Sequence, residues 1–353
     1  MISDAIKQAT SICIEYNIPF YLYQYPNNCD VVFYSNPSYR KGQWNGANTS
    51  DYFLIDFFSS ELSETIGIKS EYNEYDTIEK SSELTENAII KEYLRPYNKS
   101  TDRCCYELQC AELINSLKKR GGKTVLSKVV CGNLQNPKWV NIVEQYFNQL
   151  VHTFRYLYFT PDTGFWFGAT PEILLNYTSG SDKFVTMSLA GTRNSQKDNS
   201  WDSKNLEEHD LVTNYIVETL SDLGINSNVK PSQNLIFGDI QHLCNIIEGE
   251  IGYNDPITVA KTLSPTPALS GYPVKDAMQD IKDLEQHPRL CYGGFVAVVT
   301  SKKTDAFVNI RCVHFDENSY CIYGGGGITA KSDVGTEWDE TENKIKIIKN
   351  ILS

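Results

Sequence analysis

Near its C-terminus the chain reads YGGGGI (Tyr323–Ile328), then TAKSD, then EWDETENKIKII. The last stretch has helical character, and its Glu337, Glu340 and Lys344 are spaced three and four residues apart, which places them on one helical face. Four successive glycines admit a close approach of backbone to an anion, since no Cβ stands in the way. Two carboxylates and an ammonium beside such a turn are the ingredients for holding a metal ion and a substrate carboxylate together. A second acidic cluster, KNLEEHD (Lys204–Asp210), opens another predicted helix. Glu207, Glu208 and Asp210 there suit the positive end of a helix dipole, and a purely structural role accounts for them equally well. A hard ion such as magnesium needs only one or two protein carboxylates, completed by water and substrate, so Glu208 with Glu340 suffices if the fold brings them together.

Several other segments carry more chemistry than a scaffold needs. FGATPEILL sets Glu172 just after a strand and a proline, and SLAGTR offers a small-residue turn with Thr192. LSPTPALSGYP reads as a stiff loop suited to a pocket wall, and Arg289, Tyr292 and Arg311 lie downstream near predicted strands. Arginine is the natural bidentate partner of a carboxylate, though each of these, alone, fits an ordinary turn or surface position.

Those residues need elements to carry them. Apolar, β-branched runs predict strands at Thr124–Val130, Arg155–Phe159, Phe165–Ala169, Phe295–Thr300, Ala306–Cys312 and Tyr320–Tyr323. Helical periodicity predicts helices at Ser3–Tyr16, Tyr106–Lys119, Trp139–Phe154, Asn205–Leu223, Pro256–Leu263, Val274–Leu284 and Glu337–Leu352. Strands in hairpin-like runs with helices between them indicate mixed α/β with mostly antiparallel sheet, not a βαβ alternation. The polar stretch from Ser59 to Ser100 reads as surface loops and strand edges.

Bulk properties exclude some classes. With 353 residues, 41% of them hydrophobic, the chain can bury a large core. A net charge of -12 argues against a nucleic-acid partner, whose phosphates need a basic surface. No apolar run is long enough to span a membrane, and the first residues, with Asp4 and no basic start before an apolar stretch, do not read as a signal peptide. Ten scattered cysteines without a CxxC pair read as reduced thiols, which places the chain in the cytoplasm. GGGG fits neither a dinucleotide fingerprint nor a P-loop.

Taken in order, KTVLSK, GATPEILL, LAGTR, the EEH helix, IQHL, PTPALSGYP, RLCYGG, NIRC, YGGGGI and EWDETENK resemble the chorismate-utilising enzymes over residues 120 to 350. That family includes isochorismate synthases, salicylate synthases, anthranilate synthase component I and aminodeoxychorismate synthase component I. Residues 1–115 carry no comparable signature and read as a divergent, shortened N-terminal part of one enzyme domain spanning 1–353. The resemblance implies a single large α/β domain of the α+β type, with two packed, mostly antiparallel sheets and outer helices. It implies magnesium on Glu208 and Glu340, with Glu337 beside them. It implies substrate contacts from the Gly325 and Gly327 backbone, Lys344, Tyr292, Arg311, Thr192, His242, Ala268 and Leu269. Lys123 matches a general base and Glu172 a general acid.

Within the family, Ala190 stands where aminodeoxychorismate synthases carry a nucleophilic lysine, and Lys123 stands where ammonia-using anthranilate synthases carry glutamine. Both favour water as nucleophile, and PTPALSG resembles the isochorismate synthase loop. The implied reaction is addition of water at C2 of chorismate with loss of the C4 hydroxyl. A lysine serves as base there only as the free amine, and a glutamate as acid only if desolvation keeps it protonated. Salicylate synthase, which goes on to eliminate pyruvate, stays open as an alternative, as does a non-catalytic chorismate-binding homologue. The implied product feeds menaquinone, siderophore and salicylate pathways alike. No glutaminase subunit is expected, and a monomer is the default. The chain departs from the family pattern at Ser264, Lys128, Asn205 and Gly326, none of them a presumed catalytic group.

Overall fold

The strands of the centre are nearly unbroken apolar runs because both of their faces are covered. RYLYF and FWFGA are buried at every position, so neither shows the polar alternation of a half-exposed strand. A computed structural model describes residues 1–41, 44, 50–59, 65–87, 92–194, 200–237 and 240–352.

The chain begins with α1 (Asp4–Tyr16), β1 (Phe20–Gln24), β2 (Val31–Ser35), β3 (Tyr52–Asp56), β4 (Ile66–Lys69), α2 (Glu74–Glu79) and α3 (Ser81–Asn87). There follow α4 (Arg103–Arg120), β5 (Lys123–Asn133), α5 (Trp139–Gln149), β6 (Phe154–Thr160), β7 (Gly164–Thr170), β8 (Ile173–Thr178), β9 (Lys183–Asn194) and α6 (Ser203–Asp222). Next come β10 (Ser227–Val229), β11 (Gln233–Phe237), β12 (Ile240–Glu250), α7 (Pro256–Leu263), β13 (Gly271–Tyr272) and α8 (Val274–Leu284). The last elements are β14 (Phe295–Val299), β15 (Lys303–Val308), β16 (Cys312–Phe315), β17 (Ser319–Thr329) and α9 (Val334–Leu352).

These strands form two sheets. One has eight strands in the order β13-β5-β17-β16-β7-β6-β1-β2. The other has nine, in the order β10-β12-β9-β8-β15-β14-β3-β4, with β11 also on β12. Every pairing among the described residues is antiparallel, as the hairpin-like runs indicated. The largest core draws on both sheets, joining Tyr156, Trp166 and Tyr323 of the first to Phe53, Phe295 and Val296 of the second. A second core lies under α1, α5 and α9, where Ile6, Val143, Phe147 and Ile345 meet Leu157 and Phe167. The fold is therefore one domain of two packed sheets with outer helices. All ten cysteines are free thiols, and no helix among the described residues is long and apolar enough to cross a membrane.

Four sequence expectations need correction. The run Ala306–Cys312 is not one strand: β15 ends at Val308, the chain turns through Asn309–Arg311, and β16 begins at Cys312 in the other sheet. Arg311 sits at φ 51, a conformation that composition does not announce. The glycine run is not a turn but the middle of β17, paired with β5 from Lys123 to Asn133. LAGTR is likewise strand, with Gly191 as an extra residue between the partners of His242 and Leu243, at φ 70. The helix predicted to run to Phe154 stops at Gln149, and Phe154 opens β6. In the polar stretch 59–100, β4 is an edge strand as expected. The same stretch also holds α2, which starts on a capping box of Asn73 and Asp76.

Candidate active site

Gly324, Gly325 and Gly327 of β17 are called for by what presses on the two faces of the strand, whereas Gly326 has room for a Cβ. On one face, a Cβ at Gly325 would come within 2.9 Å of the Tyr292 hydroxyl, and one at Gly327 within 2.7 Å of Glu208 Oε1 and against the Lys123 chain. On the other face, a Cβ at Gly324 would meet Ile345 at 2.7 Å, and one at Gly326 would meet Glu337 at 3.4 Å. Strand β16 pairs with β17 at Tyr320–Ile322, so beyond Tyr323 one edge of β17 has no strand beside it among the described residues. The Gly325 carbonyl accepts from Lys344 Nζ at 3.0 Å on that edge. Opposite Gly325 and Gly327, Ser127 and Val125 turn their N–H groups away from β17, to Glu285 and to the Ser270 carbonyl. In an antiparallel pair a residue's N–H and C=O point to the same side, so the N–H groups of Gly325 and Gly327 face the strand-free edge.

That edge borders a partly open cavity between the two sheets, of about 810 Å³ with the solvent at its mouth included. Its acidic wall holds Glu208 from α6 and Glu340 from α9. Helix α6 starts at the Asp202 cap, whose carboxylate accepts from Asn205 N at 2.8 Å, and this fixes the turn that presents Glu208. Each carboxylate has a lysine partner: Lys123 Nζ lies 2.5 Å from Glu208 Oε1, and Lys344 Nζ lies 2.8 Å from Glu340 Oε1. Lys123 is only 2% exposed, at the first position of β5. Glu337 is buried one turn before Glu340, beside Gly326. No cluster of three His, Cys, Asp or Glu side chains shaped for a metal occurs among the described residues. The donor set present is thus two carboxylates on one cavity wall, which suits an ion that takes its remaining ligands from water and substrate.

Other lining residues are buried more deeply than those two carboxylates. Glu172, between β7 and β8, is 3% exposed. Burial pushes its carboxyl up from 4.5 to about 8, against the opposing pull of Lys123 and Arg311. The short crossover between the sheets brings Arg311 to the cavity, with its Nη2 lying 3.3 Å from His242 Nε2. His242 Nδ1 lies 3.0 Å from the Gly191 carbonyl, so it carries the ring proton and leaves Nε2 to accept from the guanidinium. Burial first, then the Arg311 and Lys344 charges, lower the His242 pKa to about 3, and the ring is neutral. Tyr292 is buried with its ring stacked 5.3 Å from Tyr323, and burial raises its pKa, keeping the phenol protonated. Ala268 and Leu269 close the same cavity. The Thr192 backbone pairs with His242 across β9 and β12, while its side chain lies outside the described residues.

Sequence reasoning did not anticipate that Val125, Leu189, Ile310 and Tyr323 line this cavity. Arg289 has another task. Its guanidinium is 2% exposed, paired to Glu285 at 2.6 Å, and donates to the Leu269 and Val125 carbonyls at 2.7 Å. It clamps two cavity-wall segments together.

Comparison with known proteins agrees with this architecture. The profile of a family described as "Chorismate binding enzyme" matches residues 48–353. Isochorismate synthase EntC of Escherichia coli (strain K12) is 34% identical over 204 residues, covering 54% of this chain and 52% of that protein. Anthranilate synthase component 1 of Neisseria meningitidis is 27% identical over 197 residues, covering 51% of this chain and 40% of that protein. The chain thus matches about half the length or less of these curated relatives. Among solved structures, MenF, the menaquinone-specific isochorismate synthase from Escherichia coli, superposes with a TM-score of 0.76 at 20% identity, over 95% of this chain and 89% of that one. Anthranilate synthase component I from Streptococcus pneumoniae gives a TM-score of 0.67 at 16% identity, over 94% and 90%.

Proposed function

Because the chain belongs to the chorismate-binding enzyme family, we propose that it is a magnesium-dependent isochorismate synthase, acting on chorismate. The observation that carries this reading is Glu172, a carboxyl held protonated up to about pH 8 in a cavity whose facing wall carries two carboxylates. An acid with that property can hand a proton to a departing hydroxyl near neutral pH.

Glu208 and Glu340 would hold the magnesium ion, which supplies charge for a substrate carboxylate and polarises the ring. Glu337, beside them, supports that wall. The N–H groups of Gly325 and Gly327, with Lys344, donate to the substrate at the same end. Arg311 and the Tyr292 phenol, whose hydroxyl lies beside Gly325, bind substrate carboxylate with them, and Thr192, His242, Ala268 and Leu269 shape the rest of the pocket. Lys123 takes the proton from attacking water at C2, and Glu172 protonates the C4 oxygen as that bond breaks. In the present arrangement Lys123 is tied to Glu208, so it becomes a base only when that pair is released. A lysine here, with Ala190 on the pocket wall rather than an amine, supports water as the nucleophile.

Incubation with chorismate and magnesium, followed by chromatography of products, tests this. Isochorismate alone is the expected result. Salicylate with pyruvate, or anthranilate when ammonia is added, would replace the assignment by that of a sister activity. No product anywhere between about pH 6 and 9 would refute an enzymatic role.

A further inference from the structure

The residue at the apex of the crossover, Arg311, occupies the left-handed region at φ 51. An L-residue is disfavoured there, so the surroundings must hold it. Its carbonyl oxygen takes two donors. One is the backbone N–H of Ala169 at 3.3 Å, the other the hydroxyl of Tyr146 at 2.6 Å. Tyr146 comes from α5, a helix in the core beneath the eight-stranded sheet rather than in the cavity. It is 1% exposed, and its ring packs edge-on against Phe167 at 5.4 Å.

We infer that Tyr146 is a positioning residue for the reaction: its hydroxyl fixes the Arg311 carbonyl, and through it the direction in which the guanidinium enters the cavity. A carbonyl held from two sides fixes the peptide plane after Arg311, and that plane with φ sets the Cα–Cβ direction. The guanidinium then meets His242 Nε2 at 3.3 Å, an acceptor whose other nitrogen is tied to Gly191. Other crossover contacts hold the residues before it: the Asn309 N–H donates to the Gly294 carbonyl, its carbonyl accepts from Gly293, its side chain accepts from Tyr156, and the Ile310 N–H donates to the Val308 carbonyl. They fix where the crossover begins, whereas Tyr146 acts at the arginine. This rests on the proposed function in one respect only, that Arg311 meets a carboxylate of the substrate.

Tyr146→Phe removes one oxygen and keeps the packing. It is expected to raise KM for chorismate about 3- to 10-fold, with kcat within about twofold of wild type. In an Arg311→Ala background the same change is expected to alter KM less than about 1.5-fold, because the group it positions is gone. An equal loss in both backgrounds, or a loss confined to kcat, would overturn the inference. A readout without substrate is the side-chain Nε–H resonance of Arg311, assigned by its disappearance in Arg311→Lys. In Tyr146→Phe it is expected to shift or broaden, and an unmoved signal rejects the inference. If the wild type neither binds nor converts chorismate, the functional reading fails, and the resonance still decides the role of Tyr146.

Discussion

The two walls of the cavity handle charge in opposite ways. At the acidic wall each carboxylate meets an ammonium directly, Glu208 with Lys123 and Glu340 with Lys344. At the facing wall Glu172 and His242 are buried so deeply that burial decides their protonation, one staying protonated and the other neutral. Paired charges can be exchanged for other charges, which suits binding an ion and an anion. Desolvated groups poised away from their ordinary ionisation suit proton transfer. One pocket thus holds both kinds of group, and Lys123, buried yet paired to Glu208, belongs to both.

The comparison can be broken most sharply at Glu172. Replacing it with glutamine keeps the shape and removes the transferable proton, so kcat should fall about 10²- to 10⁴-fold with KM little changed. Steady-state kinetics that show a rate near wild type would place the proton donor elsewhere. The acidic wall predicts a different kind of damage. Glu208→Ala leaves the Lys123 ammonium buried without its partner, a loss of about 3–5 kcal/mol of stability that a denaturant melt without metal would reveal. An unchanged midpoint would mean that the pair contributes nothing to the fold.

A third effect is a pH dependence. The Glu172 carboxyl has a folded pKa of about 8 against 4.5 when solvated. Between those values the unfolded chain has lost a proton that the folded one keeps, so this group's stabilising share is complete below about pH 4.5 and is lost as pH rises towards 8. Wild type should therefore lose stability relative to Glu172→Gln across that window, by up to a few kcal/mol. Parallel melting curves of the two proteins at each pH would show that Glu172 is solvated, and the contrast between the walls would fail.

Which of this was legible in the sequence follows from what sequence encodes. Runs such as KTVLSKVV and the periodicity of Val274–Leu284 fix elements, because apolar spacing reports burial directly. YGGGGI misled, because glycine signals turns through its conformational freedom, whereas here it is demanded by side chains crowding a strand. AFVNIRC misled for the opposite reason: an apolar run hid a change of sheet, since nothing in residue type reports a positive φ at an arginine. The resemblance named residues that the fold does gather round one cavity, Glu172, Glu208, His242, Arg311 and Glu340 among them. It did not reveal that Lys123 lies against Glu208, which depends on a contact between segments far apart in the chain, or that Arg289 is spent on Glu285, four residues before it in a stretch with no helix to signal the pair.

Strand β1 lies against β6, and β3 lies against β14, so the stretch without motifs closes one flank of each sheet. A chain cut back to start after Arg120 would expose two rows of unsatisfied main-chain groups and would be prone to stack on copies of itself. Main-chain pairing asks only for residues that accept an extended conformation. A segment can therefore shed every recognisable signature and still be what keeps the remainder monodisperse.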